Sequence, residues 1–263
     1  IGMMSVKPRQ IFDLPGGKIA EGEVADLALL DLDTAKAKKY TDTKSVKEES
    51  GYTSPFCYPL WPCDRVCEYI LAKSAVAGAM IQYMASDNED VPNQSPSNHL
   101  LGVGGQCLED GTEVYLDQDQ ANTVNGYGVT TAINQNGYRL WGNYTGAYPA
   151  SSDAKDIWFA VRRMFSWQGN NFIQTYFDEV DDPMNNVLVQ SVVDSENIRC
   201  SAYAPKYWAG ASIEYKSDDN PKTAILAGTM KFRQHIAPYT PAQEIVDIID
   251  YDTDTLAAAV GGN

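Results

Sequence analysis

Cys57, Cys63 and Cys67 fall within eleven residues, and clustered thiolates are the commonest protein ligands for structural zinc. No matched second pair of ligands follows them, and Cys63 and Cys67 stand one helical turn apart, where packing accounts for them. The acidic groups Asp178-Glu179-Asp181-Asp182 and Asp247, Asp250, Asp252, Asp254 offer carboxylates for calcium. Neither has the central glycine and terminal glutamate of a calcium loop, so both read as solvated faces. Gly102, Gly104 and Gly105 lack the Gly-Lys-Ser/Thr of a phosphate loop, and no Gly-x-Ser-x-Gly elbow occurs. The two histidines, His99 in a polar loop and His235 in a strand pattern, have no nucleophile motif beside them. The expectation is a protein without catalytic, cofactor-binding or metal-binding residues, and not an enzyme.

The elements around these residues are those of a globular chain. It has 263 residues, 44% hydrophobic and 21% charged, with a net charge of −15. That charge argues against a nucleic-acid surface, which needs clustered cations. No apolar run approaches the roughly 20 residues of a membrane span, so no membrane insertion is expected. No secretion signal opens the chain, and its odd count of five cysteines reads as reduced thiols. Residues 1–56 carry eight of the 20 cations and nine of the 35 acids, so nearly all net negative charge lies beyond them. Residues 1–50 also hold only two of the aromatics, Phe12 and Tyr40. Both shifts suggest a boundary near residues 38–55, with the lysine- and serine-rich stretch 38–52 as linker or mobile loop.

Beyond the boundary, Val66, Ile70, Ala77, Met80, Ile81 and Met84 predict a helix from Pro62 to about Ser86. Residues 111–116 read as a turn feeding a strand, and Asp117 as the cap of a helix ending at Gly126 or Gly128. Residues 129–142 are the clearest local signal. Two β-rich runs flank Asn136-Gly137, a dipeptide that accepts positive φ in a tight hairpin, and Trp141 is expected to be mostly buried. A helix should follow the caps Ser151, Ser152 and Asp153, with Ile157, Val161, Met164 and Phe165 as its apolar stripe and Arg162 and Arg163 off it. A second helix should start near Pro183, with Val187, Leu188, Ser191, Val192 and Ile198 on one side. Strands are predicted at 211–216, 228–236 and 244–251. In the last, Ile245, Asp247, Ile249 and Tyr251 alternate with Val246, Ile248 and Asp250. The class is α+β (mixed α/β).

Several motifs in this order carry a family resemblance. They are Ser95-Pro96-Ser97-Asn98, Val129-Thr130-Thr131-Ala132-Ile133, and Gly137-Tyr138-Arg139-Leu140-Trp141-Gly142-Asn143 with Thr145. Val161-Arg162-Arg163-Met164, Asp181-x-Pro183-Met184-Asn185, Asn220-Pro221 and Ala237-Pro238-x-x-Pro241-Ala242-Gln243-Glu244 follow. On these, residues from about 54 to 260 resemble the core and C-terminal domain of contractile phage tail sheath proteins. Tyr144 departs from the pattern, since an arginine is common there. Residues 4–12 and 16–32 resemble instead the C-terminal tail of a dihydroorotase, a metal enzyme whose barrel histidines this chain lacks. An amidohydrolase-type fragment is therefore the alternative reading.

The sheath resemblance implies three parts: a segment 1–56 of uncertain origin with its linker, a core portion 57–150, and a C-terminal domain 151–263 ending in an arm. It implies a structural subunit without an active site, which polymerises helically around a tail tube and contracts to drive the tube through a target envelope. The implied partners are further copies of itself, the tail tube protein and baseplate proteins. The implied location is the virion tail, assembled in the bacterial host cytoplasm. Family members join neighbours by strand exchange, which points to Glu244, Ile245, Val246, Asp247, Ile248, Ile249, Asp250, Tyr251, Asp252 and Leu256 as inter-subunit residues. Asn136, Gly137 and Trp141 are the expected fold-defining hairpin.

Overall fold

The structure, a computed structural model, describes residues 27–261. Strand β1 (Ala28–Asp31) opens it, followed by a turn and helix α1 (Thr43–Glu49). Strand β2 (Cys57–Leu60) runs parallel to β1. The backbone of Thr130 extends this pair toward a hairpin, donating to Pro59 O at 2.8 Å and accepting from Trp61 N at 2.9 Å. That hairpin is β6 (Thr131–Asn134) with β7 (Tyr138–Trp141). Between these lie β3 (Cys63–Val66), β4 (Tyr69–Leu71) and β5 (Gly105–Cys107), which form an antiparallel sheet in the order β4-β3-β5. Helix α2 (Lys73–Asp87) and helix α3 (Gln118–Gly126) cover the sheets. The remainder is helical up to a two-stranded sheet: α4 (Ala154–Ile157), α5 (Phe159–Thr175), α6 (Asn186–Tyr203), β8 (Trp208–Glu214), α7 (Lys222–Leu226), β9 (Arg233–Pro238) and α8 (Thr253–Ala259). This is the mixed helix-and-sheet class expected.

Local chemistry explains the elements that match. Asp117 Oδ1 accepts from Gln120 N at 2.8 Å, and Gln120 Oε1 accepts from Asp117 N at 3.3 Å, a reciprocal cap that starts α3. Asp153 caps α4 through Lys155 N, and Asn185 caps α6 through Leu188 N, each at 2.9 Å. Asn136 and Gly137 have φ of 54° and 106°, as the hairpin requires. The loop is longer than the two-residue turn expected, because Asn134 pairs with Tyr138 across it. Trp141 is half-buried rather than buried, since its indole N–H reaches out to Asn122 Oδ1 at 2.9 Å.

Other expectations fail for physical reasons. Helix α2 starts at Lys73 and not at Pro62, because Cys67, at φ 53°, turns 63–71 into a hairpin. The stretch 38–52 is not a mobile linker: it holds α1, whose Val46 is buried in the main core. Residues 111–116 form only one bridge, Cys107 to Glu113, rather than a strand. On α6 the inward face is Val189, Val192, Glu196 and Cys200, whereas Val187 and Ile198 are exposed. Strand β9 begins only at Arg233, and 244–251 is not a strand in this chain.

Three clusters of buried side chains fill the molecule. One joins Leu32, Ala37 and Val46 to Trp61, Val124 and Val129. A second places Tyr58, Leu60, Leu140 and Phe159 over α2. The third, under β8–β9, holds Val91, Met164, Cys200, Tyr207 and Trp208. Several buried charged groups are paired, although Asp64 Oδ2, Ser166 Oγ and the Tyr207 hydroxyl are buried without a hydrogen-bond partner. Lys73 meets Asp64, with both side chains fully buried. Glu196 accepts from Arg199 Nη2 at 2.6 Å and from Gln168 Nε2 at 2.5 Å, so its carboxylate is met by a guanidinium and an amide. Lys47 is different, because it has only carbonyls: Nζ donates to Tyr127 O at 2.8 Å and to Tyr148 O at 2.5 Å.

Two outcomes follow. Gly137→Val should lower stability in urea unfolding by about 1–3 kcal/mol, since a β-branched residue resists positive φ. A Cβ there would also stand 3.0 Å from Leu100 Cδ2. No loss would contradict the turn. Burial lowers the Lys47 ammonium from its ordinary 10.5 to about 8. The unfolded chain therefore binds more protons than the folded one between those values, and the contribution of Lys47 to stability rises as pH climbs from about 8 to 10.5. Stability of the wild type minus that of Lys47→Met should grow across that window and stay flat below it.

Candidate assembly site

The candidate residues lie at the end of the chain. Pro238 ends β9 and Pro241 follows three residues later, both with the fixed φ of proline that suits an extended backbone. Tyr239 donates its hydroxyl to Pro205 O at 2.9 Å, and Tyr144 donates its hydroxyl to Gln243 Oε1 at 2.7 Å. After Gln243 the chain leaves the body. Among the described residues, 244–251 pair with no strand and make no backbone hydrogen bond. Ile245, Ile248, Ile249 and Tyr251 are 89%, 80%, 86% and 75% exposed. Asp252 then caps α8, its carboxylate accepting from Thr255 N at 2.9 Å and Thr255 Oγ1 at 2.6 Å. Leu256 on that helix is half-exposed.

This arm is rich in β-branched residues, as strands are, yet among the described residues it pairs with no strand. Apolar side chains on both faces would be buried if a sheet edge lay beside it, and main-chain groups would be paired. The sheet nearest in sequence, β8–β9, has only two strands. It rests on the third core cluster through Ala211 and Ile236.

The expected hairpin lies at the centre of the body instead. Gly142 N donates to Ser97 Oγ at 3.1 Å, and Gly142 O accepts from the Tyr58 hydroxyl at 2.8 Å. Asn98 N donates to Leu140 O at 2.6 Å. The side chains of Ser95 and Asn143 hydrogen-bond to each other. The Ser95–Asn98 motif and the hairpin motif are thus one hydrogen-bonded unit. In the arginine pair, Arg162 lies over the Phe56 ring at 4.0 Å and pairs with Asp156 at 3.2 Å. Arg163 lies over Phe159 at 5.5 Å, and burial lowers its pKa to about 10. These motif residues build the fold.

The cysteines spread apart in role. Cys63 pairs across β3–β5 with Cys107, both buried, Cys57 lies on β2, and Cys67 is exposed in a turn. Burial pushes the Cys63 thiol up to about 11. Among the described residues no three of His, Cys, Asp or Glu are grouped to hold a metal, and no helix is long and apolar enough to cross a membrane. Sequence reading missed the root of the arm. Pro238 and Pro241 were its visible signal, together with the tyrosine at 144.

No protein-family profile matches the chain. It is 27% identical over 197 residues to the major tail sheath protein of Serratia phage KSP20, covering 72% of this chain and 48% of that one. It is 23% identical over 256 residues to the tail sheath protein of Escherichia phage P2, covering 91% and 62%. The chain thus spans about half to three fifths of the length of these relatives. Among solved structures, the sheath complex of an extracellular contractile injection system, PVC, in its contracted state matches with a TM-score of 0.72 at 17% identity, covering 90% of this chain and 66% of that one. The fold is that of contractile sheath proteins. A match over 91% of the chain leaves out less than residues 1–56, so sheath similarity reaches into that segment. The dihydroorotase resemblance of residues 1–37 finds no support. Residues 1–26 lie outside the described residues, while β1 and Ala37 belong to the same body as the rest.

Limited proteolysis checks the arm. The first cuts should fall within 244–252, leaving a fragment that melts within about 2 °C of the intact chain. First cuts inside the body would contradict it.

Proposed function

We propose that this chain is part of a structural subunit of a contractile tail sheath, without enzymatic activity. It polymerises helically around a tail tube, and its contraction drives the tube through a target envelope. The observation that carries the reading is the arm: a β-patterned, apolar segment exposed on a body with a sheath fold. Main-chain pairing with a neighbouring copy would give the arm an edge, and its alternate side chains would fix the register. Such a contact joins two different surfaces, so repetition builds a ring where the rotation closes and an open helix where it does not. Burying each isoleucine contributes about 1.5–3 kcal/mol.

Glu244 through Asp252, with Leu256, are the proposed inter-subunit residues. Further copies, a tube protein and baseplate proteins are the proposed partners. The proposed location is the virion tail, with assembly in the host cytoplasm. No observation favours the amidohydrolase alternative.

Negative-stain microscopy of the expressed chain tests this. The full chain should form tubes or rings. Deleting 244–263 should abolish them while the melting temperature stays unchanged. Tubes that form equally well without the tail contradict the role of the arm, and a wild-type chain that remains monomeric at every concentration contradicts the sheath reading.

A further inference from the structure

The root of the arm stands off the body over a cleft of about 980 Å³, whose lining includes Asn98, Asn122, Trp141, Tyr148 and residues 239–244. Packing therefore does not hold this stretch along its length. It is pinned at its two ends, by Tyr239 on Pro205 O and by Tyr144 on Gln243. The first pin follows directly on β9. The second is the last side-chain hydrogen bond from the described body before the free segment begins.

Tyr144 is itself rigidly mounted. Its ring stacks on Tyr148 at 3.8 Å and 7°, and on Trp158 at 5.0 Å. Its backbone bridges to Trp158. A three-ring column leaves the phenol little rotational freedom. The hydroxyl is a donor at neutral pH, and burial raises its pKa further. Residues 244–252, fully extended, reach about 30 Å. An angular error of about 10° at the root therefore moves the tip by about 5 Å, the spacing of strands.

We propose that Tyr144 is a positioning residue: its hydroxyl holds Gln243 against the aromatic column and so aims the arm at the neighbouring copy. The aiming rests on the sheath reading, while the hold on Gln243 does not.

The test measures backbone order parameters at 242–246 in the unassembled protein, with the tube assembly rate alongside. Tyr144→Phe keeps the stack and removes the donor, and Gln243→Leu removes the acceptor. Each should lower the order parameters from about 0.8 to below about 0.6 and slow assembly about tenfold, with the melting temperature unchanged. The double variant should be no worse than either single one. Gln243→Glu retains an acceptor and should restore both readouts. Unchanged order parameters in Tyr144→Phe overturn the proposal, as does a Gln243→Glu arm as mobile as that of Gln243→Leu. Loss of order with no change in assembly rate overturns the aiming role. A wild type that builds no tubes counts against the sheath reading and leaves the order-parameter result standing.

Discussion

The chain passes Gly142 so closely to its neighbours that no side chain fits there, and the rest of the body is arranged around that passage. A Cβ at Gly142 would lie 2.5 Å from Thr130 Oγ1. The closeness lets its carbonyl meet the buried Tyr58 hydroxyl and its N–H meet Ser97. The next residues continue the junction. Asn143 O accepts from Phe159 N at 2.9 Å, and Thr145 N donates to Ile157 O at 2.8 Å, which fixes the start of the helical half. Tyr58 stacks on Phe159 at 3.9 Å beneath them. Strand β2, the Ser95–Asn98 loop, helices α4 and α5 and the root of the arm all attach within four consecutive residues. Loss of the close approach would leave buried polar groups unpaired in several elements at once.

Much of this was legible because its causes are local. Helix caps at Asp117 and Asp153 and the positive-φ pair Asn136-Gly137 are short-range chemistry, and each appears where the residues demand it. Features set by distant partners were hidden. A lysine-rich stretch reads as linker until Lys47 finds carbonyls at 127 and 148, far along the chain. The start of α2 was obscured because Val66 and Ile70 fit a helical spacing, while a turn at Cys67 pairs their strands instead. On α6, the buried Glu196 disguised the true inward face, since a carboxylate is rarely counted as core.

The arm shows a third kind of limit. Its β-branched composition was visible, and it is still not a strand here, because a strand needs a paired edge and 244–251 pairs with no strand of the described body. On the proposed reading, the segment makes its pairing with a neighbouring copy. Net charge sets the opposing term. Copies at −15 repel one another, so association must overcome a repulsion that salt screens over about 10 Å at 0.1 M. On the proposed reading, short-range strand pairing would work against long-range repulsion, and the balance would shift with small changes at the interface.

Hydrogen exchange at the arm amides tests the central claim most directly, because it reports main-chain pairing where the pairing should occur. In the unassembled chain, amides 244–251 should exchange at the rate of an unstructured peptide. In assembled tubes most of those facing the neighbour should be slowed at least about 100-fold, which corresponds to about 2.7 kcal/mol of protection. Equal, fast exchange in both states would contradict the account, since tubes would then form without pairing the arm.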